Sequence, residues 1–280
     1  MCNAPLLVSE KFAETVGERA VDAYRRIVTP NGLAPADPAD VPHTAHVGLP
    51  AQAHDPDAAE PPGPLLAAGE AADVYALSDQ QVLRRYRDGG DASREVALMR
   101  HVAAFGFPVP AVQHLGGPDL LMERLHGPTL LQALAAGEVS LHDAAVVMAD
   151  LHRRLHMINA PTGGVVVHLD LHPGNVILSE SRGPVLIDWA NARGGAAPLD
   201  AAVTALILAE VAVDAGGDYS QAARTLLAAF VGASDEPLLP QLDEAMETRR
   251  RDPALVAGER ELVWPAGTLV RTFADLTAHP

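Results

Sequence analysis

The sequence predicts an α+β chain in which short strands come first and long helices follow, and three observations carry that expectation. Between residues 65 and 86, three short apolar runs are separated by small polar turns, the pattern of adjacent strands. From Leu130 onward the composition becomes alanine-rich and apolar residues recur at helical spacing. Around residues 165–187 a β-branched run, a Pro-Gly loop and two further apolar runs interrupt the helical part.

Taken in order, residues 1–62 stand apart. Ser9 can cap a helix whose Phe12, Val16, Ala20, Tyr24 and Ile27 form one stripe. From Pro30 to Pro64 the chain holds nine prolines among Ala and Asp, which reads as linker or disorder. Leu65 to Gly69, Val74 to Leu77 and Gln81 to Arg85 then read as strand, turn, strand, turn, strand. Gly89-Gly90-Asp91 precedes a helix from about Ala92 to Ala104, with Asp91 as its N-cap. Glu95, Leu98, Met99 and Val102 share the inner stripe of that helix. An inward-facing carboxylate calls for a cation, and Arg84 on the third strand is the natural partner; the alternative is an exposed Glu95 beside Arg94.

Phe107-Pro108-Val109-Pro110 ends the helical region, and Leu120 to Leu125 reads as a buried strand running into Gly127-Pro128. Leu141 to His156 is a long amphipathic helix with His152 and His156 one turn apart. Leu199 to Val213 is an apolar helix that opens near Asp200 and carries Glu210. It is too short and too acidic to cross a membrane. Further helices are expected from Tyr219 to Val231, Leu239 to Arg250 and Pro253 to Leu276, the last broken at Pro265, with Trp264 in the core.

The chemistry is concentrated in His168-Leu169-Asp170-Leu171-His172-Pro173-Gly174-Asn175, followed by Leu186-Ile187-Asp188-Trp189. Val165 to Val167 is a strand, and Pro173-Gly174 bars regular structure just beyond, so Asp170 lies on a loop leaving a buried strand. Val176 to Leu178 and Val185 to Ile187, joined by a polar turn with Gly and Pro, read as a hairpin that returns Asp188 to the side of Asn175. Phosphoryl transfer needs a carboxylate to orient a hydroxyl and take its proton, and oxygen ligands for Mg²⁺. Asp170 suits the first duty, Asn175 and Asp188 the second.

These residues resemble the catalytic loop H-x-D-x-H-x-x-N and metal aspartate of the aminoglycoside phosphotransferase branch of the protein kinase-like fold. The resemblance covers roughly residues 63–276. It implies a bilobal α+β fold: a small β-rich lobe with the hinge over residues 63–126, and a larger α-rich lobe with the catalytic loop and acceptor site over 127–280. It implies transfer of the γ-phosphoryl group of ATP or GTP to a small-molecule hydroxyl, with Asp170 as base, Asn175 and Asp188 on Mg²⁺, and Arg84 with Glu95 placing the phosphates. Arg84 stands where relatives commonly have Lys, and the only lysine here is Lys11. The turn that would cover the phosphates contains only Gly69. The backbone around Glu123 and Leu125 would meet the adenine edge, Val82 would line the purine pocket, and Asp200 would hold the catalytic-loop backbone.

Two other readings stay open. The glycine-poor turn and Arg84 suit a nucleotide-binding regulator without turnover. His168, Asp170 and His172 alternate, so on an extended strand they would share a face and suit a zinc hydrolase. His168 otherwise packs and hydrogen-bonds to hold the loop.

Composition bounds all of this. The net charge is −16, against a nucleic-acid surface, and nineteen arginines beside one lysine reflect biased composition. Cys2 is the sole cysteine, and no signal or spanning segment is evident, so the cytoplasm is the expected address. Residues 127–280 carry a net −9, the field for a cationic acceptor or simply solubility charge.

Overall fold

The computed structural model describes residues 62–68, 72–214, 217–252, 255 and 257–278. Of the helix and linker expected over residues 1–62, residues 1–61 lie outside the described residues, as does the turn at Gly69.

The first part is one antiparallel sheet. β1 (Leu65–Ala68), β2 (Ala72–Ala76), β3 (Gln81–Tyr86), β4 (Val112–Gly116) and β5 (Asp119–Glu123) take the order β1-β2-β3-β5-β4. β3 is central, pairing Val74 with Arg84 on one side and Arg84 with Leu120 on the other. Its residues at even positions, Val82, Arg84 and Tyr86, therefore share one face. β4 is absent from the sequence expectation: only its first and third residues are even partly buried, so its alternation is faint.

α1 (Ser93–Ala104) lies against the sheet and buries Glu95, Val96, Leu98, Met99 and Val102. Each apolar member contributes roughly 1.5–3 kcal/mol by leaving water. The N-cap position belongs to Ala92, one residue later than expected. Asp91 still serves the first turn, because its carboxylate accepts from the Ser93 amide at 2.9 Å and the Ser93 hydroxyl at 2.8 Å.

Past Gly127, where a Cβ would stand 2.0 Å from the Leu178 carbonyl oxygen, the chain turns helical. α2 (Leu130–Ala135) starts with a reciprocal Thr129–Gln132 capping box, and α3 (Leu141–His156) with Ser140 accepting from the Asp143 amide. β6 (Val165–Val167) pairs with β9 (Arg193–Gly195), and β7 (Val176–Ser179) with β8 (Gly183–Leu186), as the expected hairpin. β9 is a second strand that the sequence does not announce.

α4 (Ala197–Asp214) is buried from Leu199 to Ala212, the signature of a helix enclosed on all sides. Around it pack α5 (Gly217–Ala233), α6 (Leu242–Arg250) and α7 (Ala257–Ala278). A short 3₁₀ turn, Leu239–Gln241, begins what was expected as one helix with α6. α7 differs from expectation twice. It runs unbroken through Pro265, because fully buried Val263, Ala266 and Val270 hold its inner face. Trp264 lies on the outer face and is 59% exposed, so it is not a core residue. One apolar cluster links residues of β3, α1, α3, β8 and the C-terminal helices. Among the described residues no helix is long and apolar enough to cross a membrane.

Candidate active site

The loop after β6 is held from behind by α4. Asp200, fully buried in the first turn of that helix, accepts from the His168 amide at 2.9 Å, the Leu169 amide at 2.6 Å and His156 Nε2 at 2.9 Å. Burial pushes the carboxyl upward, but these donors, the His156 hydrogen bond first among them, win and hold it below the usual carboxylate range. One turn on, the Thr204 hydroxyl donates to the Leu171 carbonyl at 2.7 Å. The same helix face thus fixes both flanks of Asp170.

His152, His156 and Asp200 present ligand atoms within 4.8 Å of one another. Both Asp200 oxygens are occupied by donors, however, so the cluster is a hydrogen-bonded anchor. The His152 Nδ1–H donates to the Met148 carbonyl at 3.0 Å, and burial lowers the imidazole to about 4, so this histidine is neutral.

The zinc alternative does not survive the backbone. Leu169 is left-handed, with φ 63°, which breaks the alternation that would align His168, Asp170 and His172. His168 is fully buried, stacks edge-on against Trp189 at 5.1 Å, and places Nε2 3.2 Å from the Ile187 carbonyl oxygen. It braces the loop, as the bland reading expected. His172 Nδ1 accepts from the Gly174 amide at 3.1 Å and so shapes the turn before Asn175. Its Nε2 stands 3.9 Å from an Asp170 oxygen.

Asp170, Asn175 and Asp188 come together. Asn175 Nδ2 donates to both the Asp170 carbonyl and its side-chain Oδ2, each at 3.0 Å. The Ile187 amide donates to the Asn175 carbonyl at 2.9 Å, which seats Asp188 beside it. Asp188, like Leu169, is left-handed, with φ 60°, and buried Trp189 behind it donates Nε1–H to the Leu186 carbonyl at 3.0 Å. Burial, then the Asp188 charge, pushes Asp170 well above the usual carboxylate range.

These groups suit a hard cation. With its nitrogen committed to Asp170, Asn175 keeps its side-chain oxygen available as a metal ligand, and Asp188 supplies a carboxylate, the all-oxygen chemistry Mg²⁺ requires.

On the facing sheet, Arg84 pairs with Glu95 at 2.7 Å, as expected, and also with Asp188 at 2.9 Å. Burial opposes the guanidinium charge, but Asp188 and Glu95 raise its pKa overall; burial raises Glu95 and Arg84 pulls it back. The Glu123 amide donates to the Ala111 carbonyl at 2.8 Å, and its carboxylate accepts from Arg182 at 2.8 Å. A nucleotide edge would therefore meet other main-chain groups of the Glu123–Leu125 turn.

Sequence reasoning missed Arg249. It sits buried on α6, its Nε 3.1 Å from fully buried Glu210 and its Nη1 3.0 Å from Asp252; its charge opposes the rise of the Asp170 pKa and, after burial, lowers that of His172. The available signal was Glu210 itself, an acid inside an apolar helix that demands a cation. Arg249→Met is expected to destabilise the fold by about 3–5 kcal/mol, because Glu210 is left buried and unpaired. Urea denaturation measures it, and a cost near zero would show that Glu210 finds another partner.

A sequence profile of the APH phosphotransferase enzyme family matches residues 63–165 and 161–236. No curated protein matches. Three solved structures give the following likenesses. Aminoglycoside phosphotransferase APH(2'')-Ib with ADP is 15% identical at TM-score 0.43, covering 76% of this chain and 93% of its own. The streptomycin–ATP–APH(2'')-IIa ternary complex is 14% identical at 0.44, covering 76% and 92%. Aminoglycoside phosphotransferase APH(4)-Ia is 14% identical at 0.48, covering 75% and 92%. Since the profile spans more than half the sequence and includes the anchored loop, the chain belongs to the phosphotransferase enzyme family and has its bilobal kinase-like α+β fold.

Proposed function

We propose that the protein transfers the γ-phosphoryl group of ATP, or GTP, to a hydroxyl of a small molecule. The observation that carries this reading is the meeting of Asp170, Asn175 and Asp188 opposite Arg84, on a loop whose backbone Asp200 fixes. The acceptor hydroxyl lies against Asp170 and attacks the γ-phosphorus as the bond to the β-phosphate oxygen breaks, and its proton passes to Asp170. Asn175 keeps Asp170 turned toward the acceptor. Asn175 and Asp188 would hold Mg²⁺, which neutralises charge on the phosphate oxygens. Arg84, steadied by Glu95, orients the phosphates. Positioning and electrostatics supply most of the acceleration.

The net −9 of residues 127–280 favours a cationic acceptor. A screen of small hydroxyl compounds, amine-bearing ones included, for acceptor-dependent consumption of ATP or GTP tests the reading. Tight Mg-nucleotide binding with no transfer to any acceptor would instead support a nucleotide-binding regulator.

The pH dependence follows from Asp170. The base must be ionised, and burial with Asp188 raises its pKa, so kcat/KM is expected to fall with decreasing pH earlier than an ordinary carboxylate near 4 would dictate. Arg249 opposes that rise. A profile flat down to pH 4 would remove Asp170 from the role of base.

A further inference from the structure

Arg84 does two things at once that a lysine at its position could not do as independently. Nη1 lies 2.7 Å from Glu95 Oε1, and Nη2 lies 2.9 Å from Asp188 Oδ1. The Glu95 end is braced: the Tyr86 hydroxyl donates to Glu95 Oε2 at 2.5 Å, and the Tyr86 ring stands 5.0 Å from the guanidinium carbon. Arg84 and Glu95 are each 7% exposed. Asp188 is less enclosed and ends the hairpin in a left-handed conformation. An ammonium is a single point of charge, whereas a guanidinium is a rigid fork whose two tips can keep different partners.

We propose that Arg84 and the divalent cation take Asp188 in turn. Nη2 rests on Asp188 until the metal–nucleotide complex arrives and then passes to a phosphate oxygen, while Nη1 stays on Glu95 with Tyr86 as its positioning residue. The proposal rests on the phosphoryl-transfer reading above. It makes the arginine an exchange device suited to this site, not a defective lysine. Because one carboxylate serves two cations, each weakens the other's hold on it, and the coupling is reciprocal.

The test measures binding of Mn²⁺ to the full chain without added nucleotide, by electron paramagnetic resonance, and binding of ADP by calorimetry. Arg84→Gln removes the competitor, so Mn²⁺ is expected to bind roughly tenfold more tightly, within the ordinary range of such couplings, while ADP binds more weakly. Arg84→Lys is expected to fall between the two, and it keeps a partner for Glu95 if the Gln variant proves unfolded. Misfolding would not tighten metal binding, so a gain of affinity separates exchange from a structural role. Unchanged or weaker Mn²⁺ binding in the folded variant overturns the exchange. If Asp188→Asn leaves Mn²⁺ binding as in the wild type, the cation is not on Asp188, and the metal assignment of the phosphotransferase reading falls together with the exchange.

Discussion

Asp170→Asn is expected to reduce phosphoryl transfer by roughly 10²–10⁴-fold, the usual worth of a positioned proton acceptor, while nucleotide binding persists. It is also expected to raise the melting temperature. Asp170 is 5% exposed, and burial together with Asp188 penalises its ionised form. A carboxyl whose folded pKa lies above the unfolded value destabilises the fold once both states are ionised, so at neutral pH its removal relieves a cost. Asparagine keeps an oxygen that can accept from Asn175 Nδ2, so the loop geometry survives. Steady-state kinetics and calorimetric melting check both parts. Unchanged turnover would remove Asp170 as the base, and a lower melting temperature would show that its charge is compensated in the fold.

Asp200→Ala is expected to cost about 3–5 kcal/mol of stability and to abolish transfer without touching substrate. The substitution strands two buried amides, of His168 and Leu169, and removes the acceptor of His156. Each buried donor left unpaired costs about 1–3 kcal/mol. The sign with pH is also fixed. The Asp200 pKa is depressed in the fold, so its stabilisation is present above the unfolded carboxylate value near 3.9 and is lost as pH falls through the lower folded value. Urea denaturation between pH 3 and 7 should show a smaller acid-side slope in the variant, and equal slopes would remove Asp200 as the anchor.

Much of this site was legible because its residues are close in sequence and sit in strongly marked context. The turn residues of 173–175 and 183–184 and the β-branched run of 165–167 fix where Asp170 and Asp188 must lie, and helical spacing alone turned Glu95 inward. What stayed hidden depends on distant partners or on missing side chains. Arg249 heads a run of three arginines at a helix end, and its buried carboxylate partner Glu210 lies thirty-nine residues earlier in the chain. β9 is written Arg-Gly-Gly because a Cβ at Gly195 would lie 2.8 Å from Val167, so the strand has no side-chain pattern to detect. Trp264 misled through its type, since aromatic residues favour interiors and the exposed face of α7 is set by its neighbours. Tyr86 drew no attention in the sequence, because its bond to Glu95 joins the central strand to α1, nine residues further on.

The guanidinium on β3 also decides how the protein can be labelled. Reagents that mark nucleotide sites commonly acylate an amine beside the phosphates, and the one lysine of this sequence is Lys11, outside the family match. A buried arginine offers such reagents no nucleophile. If the chain binds nucleotide as proposed, a reagent that needs an amine at residue 84 finds none there, whereas a photoreactive adenine does not depend on that amine.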